Sequence, residues 1–228
     1  MSRWSKADYF VPAALVVLSV IPAIGGAARL LSVATDTVVN EDNARFLHAP
    51  TPVVIHALSA TLYSLLGAFQ FTRGYRARWP AWHRRAGKVL AVAGIFTALT
   101  GLWMTVTYEI PTGMQGPLLY GVRLAVGSGM LASLVIGWAS ILKRNVARHE
   151  AFMIRAYALA QGAGMQAVVL LPWVLVTGNS TGLARDLLMT LAWLINLVAA
   201  ELIIRQRTTR LPSKVSSQDT PRRLSSAL

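Results

Sequence analysis

The chain contains no cysteine and few acidic residues, and both shortages limit what it can do. Without cysteine among its 228 residues, it cannot form disulfides, thiolate zinc sites or iron-sulfur clusters held by cysteine. Any metal or cofactor must therefore be held by nitrogen, oxygen or methionine sulfur. Only 9 residues are acidic, against 22 lysines and arginines, so the formal net charge is +13.

Charged residues of both signs together make up only 14% of the chain, whereas hydrophobic residues make up 54%. This balance is typical of membrane proteins. Uncharged stretches long enough to cross about 30 Å of hydrocarbon recur along the sequence. They cover residues 8–28, which are uncharged after Asp8, and residues 46–72, 89–108, 124–142 and 156–184, and a sixth, 187–204, is apolar apart from Glu201. The sequence predicts an all-α polytopic membrane protein with six transmembrane helices in a lipid bilayer.

The basic residues follow the membrane topology instead of gathering on one soluble face, so nucleic-acid binding is not expected. With both termini in the cytoplasm, eighteen lysines and arginines lie in cytoplasmic segments and four lie outside. Short loops rich in lysine and arginine stay in the cytoplasm. We therefore predict cytoplasmic N- and C-termini, a six-helix domain over residues 1–205, and a disordered basic tail over residues 206–228.

Two of the four histidines are predicted to share one membrane depth. His83 begins the third span and His149 begins the fifth, and both helices run outward from the cytoplasmic side. At about 100° per residue, Gly94 falls on a stripe of small residues below His83, and Met153 falls on a similar stripe below His149. Such stripes also serve ordinary helix packing. An ionisable side chain within a span, however, usually faces the bundle interior and marks function.

Arg84 and Arg155 could bind carboxylate groups of a cofactor through charge-assisted hydrogen bonds. For Arg84, an anchor at the cytoplasmic surface is an alternative. Arg155 lies about two turns beyond Arg148, deep enough to need a partner. Glu201 is the carboxylate at comparable depth, so an ion pair between Arg155 and Glu201 is predicted.

A second polar site is conceivable at the opposite membrane face. His56 lies near the outer end of the second span, and Arg123 lies at the start of the fourth. The fourth span has no histidine, so His56 lacks an obvious axial partner. About 24 Å separates His56 from the inner end of its own helix. We therefore predict that His56 and the pair of His83 and His149 form separate sites.

Three segments, HALSATLYSLLGAFQF, WHRRAGK and RHEAFMIRAYAL, resemble the bacterial integral membrane proteins of domain of unknown function 2306. The pattern is an early helix histidine, then HRxxG, then HxxxMIRxYA. The resemblance implies a multi-pass protein of the bacterial cytoplasmic (inner) membrane. It gives weight to His56, His83, His149, Met153 and Arg155 without naming a reaction.

More distantly, the chain is similar to the cytochrome b561 type of six-helix membrane cytochrome. In that type, histidine pairs on a central four-helix core hold haem b. His83 and His149 match one such pair by helix number. The other pair is incomplete, because the fourth span offers no partner for His56.

The leading hypothesis is a membrane oxidoreductase that passes electrons through haem b, held by His83 and His149, to or from a quinone or small reductant. A haem takes two axial ligands, which two imidazoles can supply. One alternative is a carrier or channel whose polar route is lined by Arg155, Glu201, Gln161 and Gln166. Another is a transition-metal site on the same two histidines, without haem. Hydrolysis is not expected, because no nucleophile, base and orienting acid share one depth.

Reporter fusions test the predicted topology. A fusion at Glu41 should report an external location and a fusion at Ser216 a cytoplasmic one, because the loops around them differ in basic residues. If both fusions read as external, the loop assignment is wrong and the shared depth of the two histidines has to be reconsidered.

Overall fold

The structure of the protein, a computed structural model, describes residues 5–209, apart from the side chains of Ala7, Arg73, Thr208 and Thr209. Every regular element in those residues is helical, which confirms the predicted all-α fold. The helices are α1 (Lys6–Thr35), α2 (Ala44–His48), α3 (Pro50–Gly67), α4 (Arg73–Arg78), α5 (Pro80–Thr107), α6 (Pro117–Leu142), α7 (Val146–Ala160), α8 (Gly162–Thr177) and α9 (Gly182–Thr209), with a 3₁₀ turn at Ala68–Phe71.

Six stretches of the described chain are long and apolar enough to cross a membrane, as predicted. They are Asp8–Thr35, Pro50–Phe71, Pro80–Thr107, Pro117–Leu142, Val146–Thr177 and Gly182–Arg207. The third and fifth begin about ten residues earlier than the uncharged stretches, because charged side chains in the first turns do not interrupt helical hydrogen bonds. His83 and His149 therefore stand in the first turns of α5 and α7.

The last helix is longer than predicted. α9 continues to Thr209, four residues into the segment expected to be a tail. Near its end, the Arg207 guanidinium donates hydrogen bonds to the carboxylate of Glu150 and to the carbonyl of Phe71, which tie this end of α9 to the bundle. The rest of the predicted tail, residues 210–228, lies outside the described residues.

Six spans place the connecting segments alternately on two sides of the protein. The terminal side carries residues 72–79, residues 143–145 and the end of α9. The distal side carries residues 36–49, 108–116 and 178–181. The assignment of the terminal side to the cytoplasm stays a prediction.

The buried core lies within four of the six spans. Its buried members come from α3, α5, α6 and α7: Tyr63, Leu90, Ala93, Ala98, Met130, Leu134, Ala156, Tyr157 and Leu159. The first and last spans add partly buried side chains from outside, among them Leu15 on α1 and Trp193 on α9. The protein is therefore a four-helix core flanked by two further spans.

The fifth span is interrupted at Gln161, between α7 and α8. This side chain is only 3% exposed. Its amide nitrogen donates to the hydroxyl of Ser19 at 3.0 Å and to the hydroxyl of Tyr157 at 2.7 Å. Tyr157 in turn donates to the backbone carbonyl of Ser64 at 2.6 Å. Because an unpaired polar group costs several kcal/mol in hydrocarbon, this network fixes α1, α3 and α7 to one another.

The close approach of α1 to α8 is the feature most easily tested. A Cβ added at Gly164 would collide with the backbone carbonyl oxygen of Leu18, which cannot move aside as a flexible side chain can. We expect Gly164→Ala to destabilise the protein by about 1–3 kcal/mol. Gly121→Ala is the matched control, because a Cβ there meets nothing within 4 Å. The measurement is the fraction of protein that stays monodisperse in detergent after heating. Equal behaviour of the two variants would contradict the described packing of α1 on α8.

Candidate functional site

His149 is oriented by a backbone carbonyl of the neighbouring helix. Its Nδ1 lies 2.9 Å from the carbonyl oxygen of Gly137 on α6. A carbonyl only accepts hydrogen bonds, so Nδ1 carries the proton and Nε2 keeps its lone pair. Met153 packs against the same glycine. Histidines that bind metals are commonly held in this way, with the second ring nitrogen donating to a carbonyl or carboxylate.

His83 has a buried ring nitrogen that makes no hydrogen bond. In the described residues, its Nδ1 and the amide nitrogen of Gln70 are the buried side-chain nitrogens without a partner. Gln70 lies beside the same face of α5, because its Oε1 is 3.6 Å from a Cβ placed at Gly87, one turn beyond His83. An unsatisfied buried polar group costs about 1–3 kcal/mol. Two of them on one side of the protein point to a group that would bond to them.

His83 and His149 stand in the first turns of α5 and α7, at the terminal side of the described chain. The charges of Arg76, His149, Arg84 and Glu150 all act on the imidazole of His83. The joint binding of a cofactor by the two histidines stays a prediction. The Arg84 side chain is exposed, which agrees with an anchor at the surface. Its part in holding a cofactor carboxylate stays a prediction.

Glu150 is a member of this site that the sequence reasoning missed. Its carboxylate accepts a hydrogen bond from Arg207 and lies 3.6 Å from Nη1 of Arg76. It thereby joins α7 to the end of α9 and to α4, directly beside His149. The available signal was its position, as the one carboxylate in the segment RHEAFMIRAYAL.

The predicted pair of Arg155 and Glu201 is present. Nε of Arg155 donates to one carboxylate oxygen at 2.6 Å, and Nη2 donates to the other at 2.9 Å. The guanidinium also lies 5.0 Å from the ring centroid of Phe152. Glu201 already balances this charge, so a further role of Arg155 in binding a cofactor stays a prediction.

Gly94 has a packing role in the structure. It lies eleven residues beyond His83, about 16 Å along the helix. A Cβ at this position would stand 2.8 Å from Cε2 of Tyr63 and 3.1 Å from Cδ1 of Leu134. Side chains of the core therefore fill the small-residue stripe at this depth. The proposed contact of Gly94 with a cofactor stays a prediction, and the close helix contact gives an independent reason for the glycine.

The number of protein ligands that the site offers differs in its consequence for a bare metal ion and for a haem. Within residues 5–209, no group of three or more histidine, cysteine, aspartate or glutamate side chains is arranged to hold a metal ion. Zinc sites use three or four protein ligands. A haem iron needs only axial ligands from the protein. Two imidazoles are fewer than the ligands of a zinc site and equal in number to the axial ligands of a haem.

A separate cavity of about 530 Å³ lies in the distal half of the protein, within the size range of small-molecule sites. His56 and Arg123 both line it. They lie at a place separate from the histidine pair, as the sequence predicted. Nδ1 of His56 lies 3.1 Å from both the carbonyl of Thr97 and the hydroxyl of Thr100. The ring is thereby fixed against α5, and Nε2 makes neither of these contacts.

Three further arginines line the same cavity, and sequence reasoning did not connect them with it. They are Arg29, Arg45 and Arg185. Arg45 belongs to the short helix α2, which covers the distal end of the bundle and is attached where Tyr108 donates to the carbonyl of Ala49 at 2.5 Å. The signal was present in the topology, since these arginines and Arg123 are the few basic residues expected outside the cytoplasm.

The fold and these features define a polytopic α-helical membrane protein with a histidine pair on one side of a four-helix core and a cavity on the other. Within that class, the chain belongs to the family described as "Predicted membrane protein (DUF2306)", whose profile matches residues 53–204. The match includes all three histidines of the two sites but neither Arg29 nor Arg45. Comparison with curated proteins and with solved structures gave no match.

The ion pair between Arg155 and Glu201 gives a stability prediction. Arg155→Leu should destabilise the protein by on the order of 1 kcal/mol, because Glu201 loses its partner but its side chain is 40% exposed and partly screened. Arg84→Leu should cost less than about 0.5 kcal/mol. Thermal unfolding in one detergent measures both. Replacing Arg155 and Glu201 together by leucine should recover part of the loss, whereas an additive loss would mean that the pair contributes nothing.

Proposed function

We propose that the protein is a membrane cytochrome of the b type, in which His83 and His149 bind one haem b from two sides. The observation that carries the proposal is that each of the two imidazole rings has a nitrogen without a hydrogen bond. His149 keeps Nε2 free because Nδ1 bonds to Gly137, and His83 has a buried nitrogen without a partner. A bound haem would supply one-electron transfer.

The surroundings of the pair fit this cofactor in chemical terms. Gln70 beside His83 has no hydrogen bond from its amide nitrogen to hold it in place, so it can turn aside or donate to a carboxylate group. Arg84 is exposed at the same level and carries the charge that such a carboxylate needs. Glu150 links α7 to the end of α9 through Arg207 and so holds the helix that carries His149.

The position of the pair favours electron exchange at the terminal side. Both histidines stand in the first turns of their helices, near the membrane surface, where a quinone or a small reductant can approach. The excess of basic residues on this side supports a cytoplasmic location for it. We therefore assign the exchange to the cytoplasmic side of the inner membrane.

A carrier whose polar route runs through Arg155, Glu201 and Gln161 has less support. Arg155 and Glu201 are bonded to each other, and Gln161 is bonded to Ser19 and Tyr157. Polar groups that satisfy one another offer little to a passing solute.

Haem content per mole of purified protein tests the proposal. We expect about one haem per chain in the unaltered protein, and the loss of most of it in His83→Ala and in His149→Ala, because both imidazoles bind one iron. The double variant should lose little more than either single variant. His48→Ala, an exposed histidine on the distal side, is the matched control and should keep its haem.

Each variant is compared by its reduced-minus-oxidised absorption spectrum, after it has been shown to insert and to elute as one species. No Soret band in the unaltered protein, even after haem is added back, would overturn the proposal. So would haem that survives in both single variants.

A further inference from the structure

We propose that the distal cavity binds an anionic amphiphile, a molecule with one carboxylate or phosphate head and a hydrocarbon tail. This site is independent of the haem site, because no side chain that surrounds the histidine pair lines the cavity. A failure of one proposal therefore leaves the other standing.

The basic residues of the distal side converge on this one place. In the described chain, every lysine or arginine of that side lines the cavity, namely Arg29, Arg45, Arg123 and Arg185. They come from four different helices, α1, α2, α6 and α9. Each of these helices contributes one arginine to the cavity and no other lysine or arginine to the distal side. The positive charge of that side is therefore gathered at one place, where a negative charge can bind.

The four guanidinium groups have no carboxylate partner. The ion pairs of the described residues are made by other arginines, on the terminal half of the protein. Arg29 and Arg45 instead lie over one ring, at 4.0 Å and 4.4 Å from the centroid of Phe46. Burial and, next, the nearby charge of Arg29 lower the pKa of Arg45. An anion between the two would relieve this repulsion.

Arg123 and Arg185 are bonded to neutral groups only. Arg123 donates to the side-chain carbonyl of Gln115. Arg185 donates to the backbone carbonyls of Met114 and Ser180, each at 3.1 Å. These bonds orient the two guanidinium groups but do not neutralise them.

The charge of Asp42 acts on Arg45, and that of Asp186 acts on Arg123 and Arg185. Asp186 is already engaged. It is 2% exposed and accepts hydrogen bonds from the backbone N–H groups of Gly116 at 3.0 Å and Leu119 at 3.3 Å, at the start of α6. Its charge therefore also balances the positive end of that helix. The described residues that line the cavity include the four arginines and no aspartate or glutamate, so the lining itself is positively charged.

The walls below the arginines are largely apolar. They include small and aromatic side chains such as Ala23, Ala57, Ala60 and Trp193, and they reach the level of Gln161. A small anion would leave these walls without contacts, and a neutral hydrocarbon would leave the arginines unpaired. An amphiphile can contact both regions, the arginines through its charged head and the apolar walls through its tail. Basic pockets between transmembrane helices are known to hold anionic headgroups in this way.

Binding of radiolabelled laurate to the purified, delipidated full chain in neutral detergent tests the proposal. We expect one saturable laurate site per chain, with dodecanol at least about tenfold weaker as a competitor because it lacks the charge, a loss of about 1.4 kcal/mol. Dodecyl phosphate as a competitor distinguishes a phosphate head from a carboxylate head. Acetate and inorganic phosphate, which have no tail, should not compete at all.

Arg123→Gln and Arg185→Gln should each weaken the binding of laurate about tenfold or more, since each removes a charge-assisted hydrogen bond. Arg85→Gln, an exposed arginine on the terminal side, is the control and should bind as the unaltered protein does. If an arginine variant does not fold, Ala60→Leu gives a second test, because it fills the apolar part of the cavity and leaves all four charges in place. It should also weaken binding.

Equal competition by laurate and dodecanol would overturn the proposal, because the arginines would then contribute nothing. Unchanged binding in Arg123→Gln, Arg185→Gln and Ala60→Leu would overturn it as well, since laurate would be bound elsewhere or only by the micelle. Haem content in the arginine variants should stay at the unaltered level, which separates this result from a failure of the histidine site.

Discussion

The fold depends on one buried amide in a lipid environment. Gln161 is buried, and its side chain finds hydrogen-bond partners within the protein. It does so through Ser19 and Tyr157, and the fifth span breaks into α7 and α8 at this point. The glycines that follow let neighbouring helices come close, with Gly162 against Trp193 and Gly164 against the backbone of Leu18. One polar residue thereby sets the positions of three helices.

This arrangement separates the protein into two chemically different halves. Below the Gln161 network, the packed core of α3, α5, α6 and α7 reaches to the histidine pair on the terminal side. Above it, the helices part around the distal cavity. In the described residues, Glu150 and Glu201 pair with Arg76, Arg155 and Arg207 of the terminal half, whereas the four arginines of the distal cavity make no ion pair. The two proposals rest on this difference: a haem for the terminal half and an anionic amphiphile for the distal half.

Much of this architecture could be predicted because lipid restricts what a sequence can form. Six apolar stretches had to be helices, and the alternation of these spans across the membrane predicted one depth for His83 and His149. The charge of Arg155 required a carboxylate, and Glu201 was the one at that depth. These inferences needed only hydropathy, helix geometry and the cost of a buried charge.

The remaining features depend on contacts between distant parts of the chain. The partner of Gln161 is Ser19, 142 residues away, and no local pattern connects them. Arg29, Arg45, Arg123 and Arg185 converge only after all six spans have packed around the cavity. Glu150 was missed for the same reason, since its partner lies on α9. The boundaries of the helices moved because hydropathy detects the apolar centre of a span and not the charged turns at its ends.

The most direct test of the account is the electron paramagnetic resonance spectrum of the oxidised, purified protein. Two imidazoles on one iron make the ferric haem six-coordinate and low-spin. The account therefore predicts a low-spin ferric signal with little high-spin component. A dominant high-spin signal would contradict the joint binding of iron by His83 and His149, and the absence of any haem iron signal would contradict the assignment of a cytochrome.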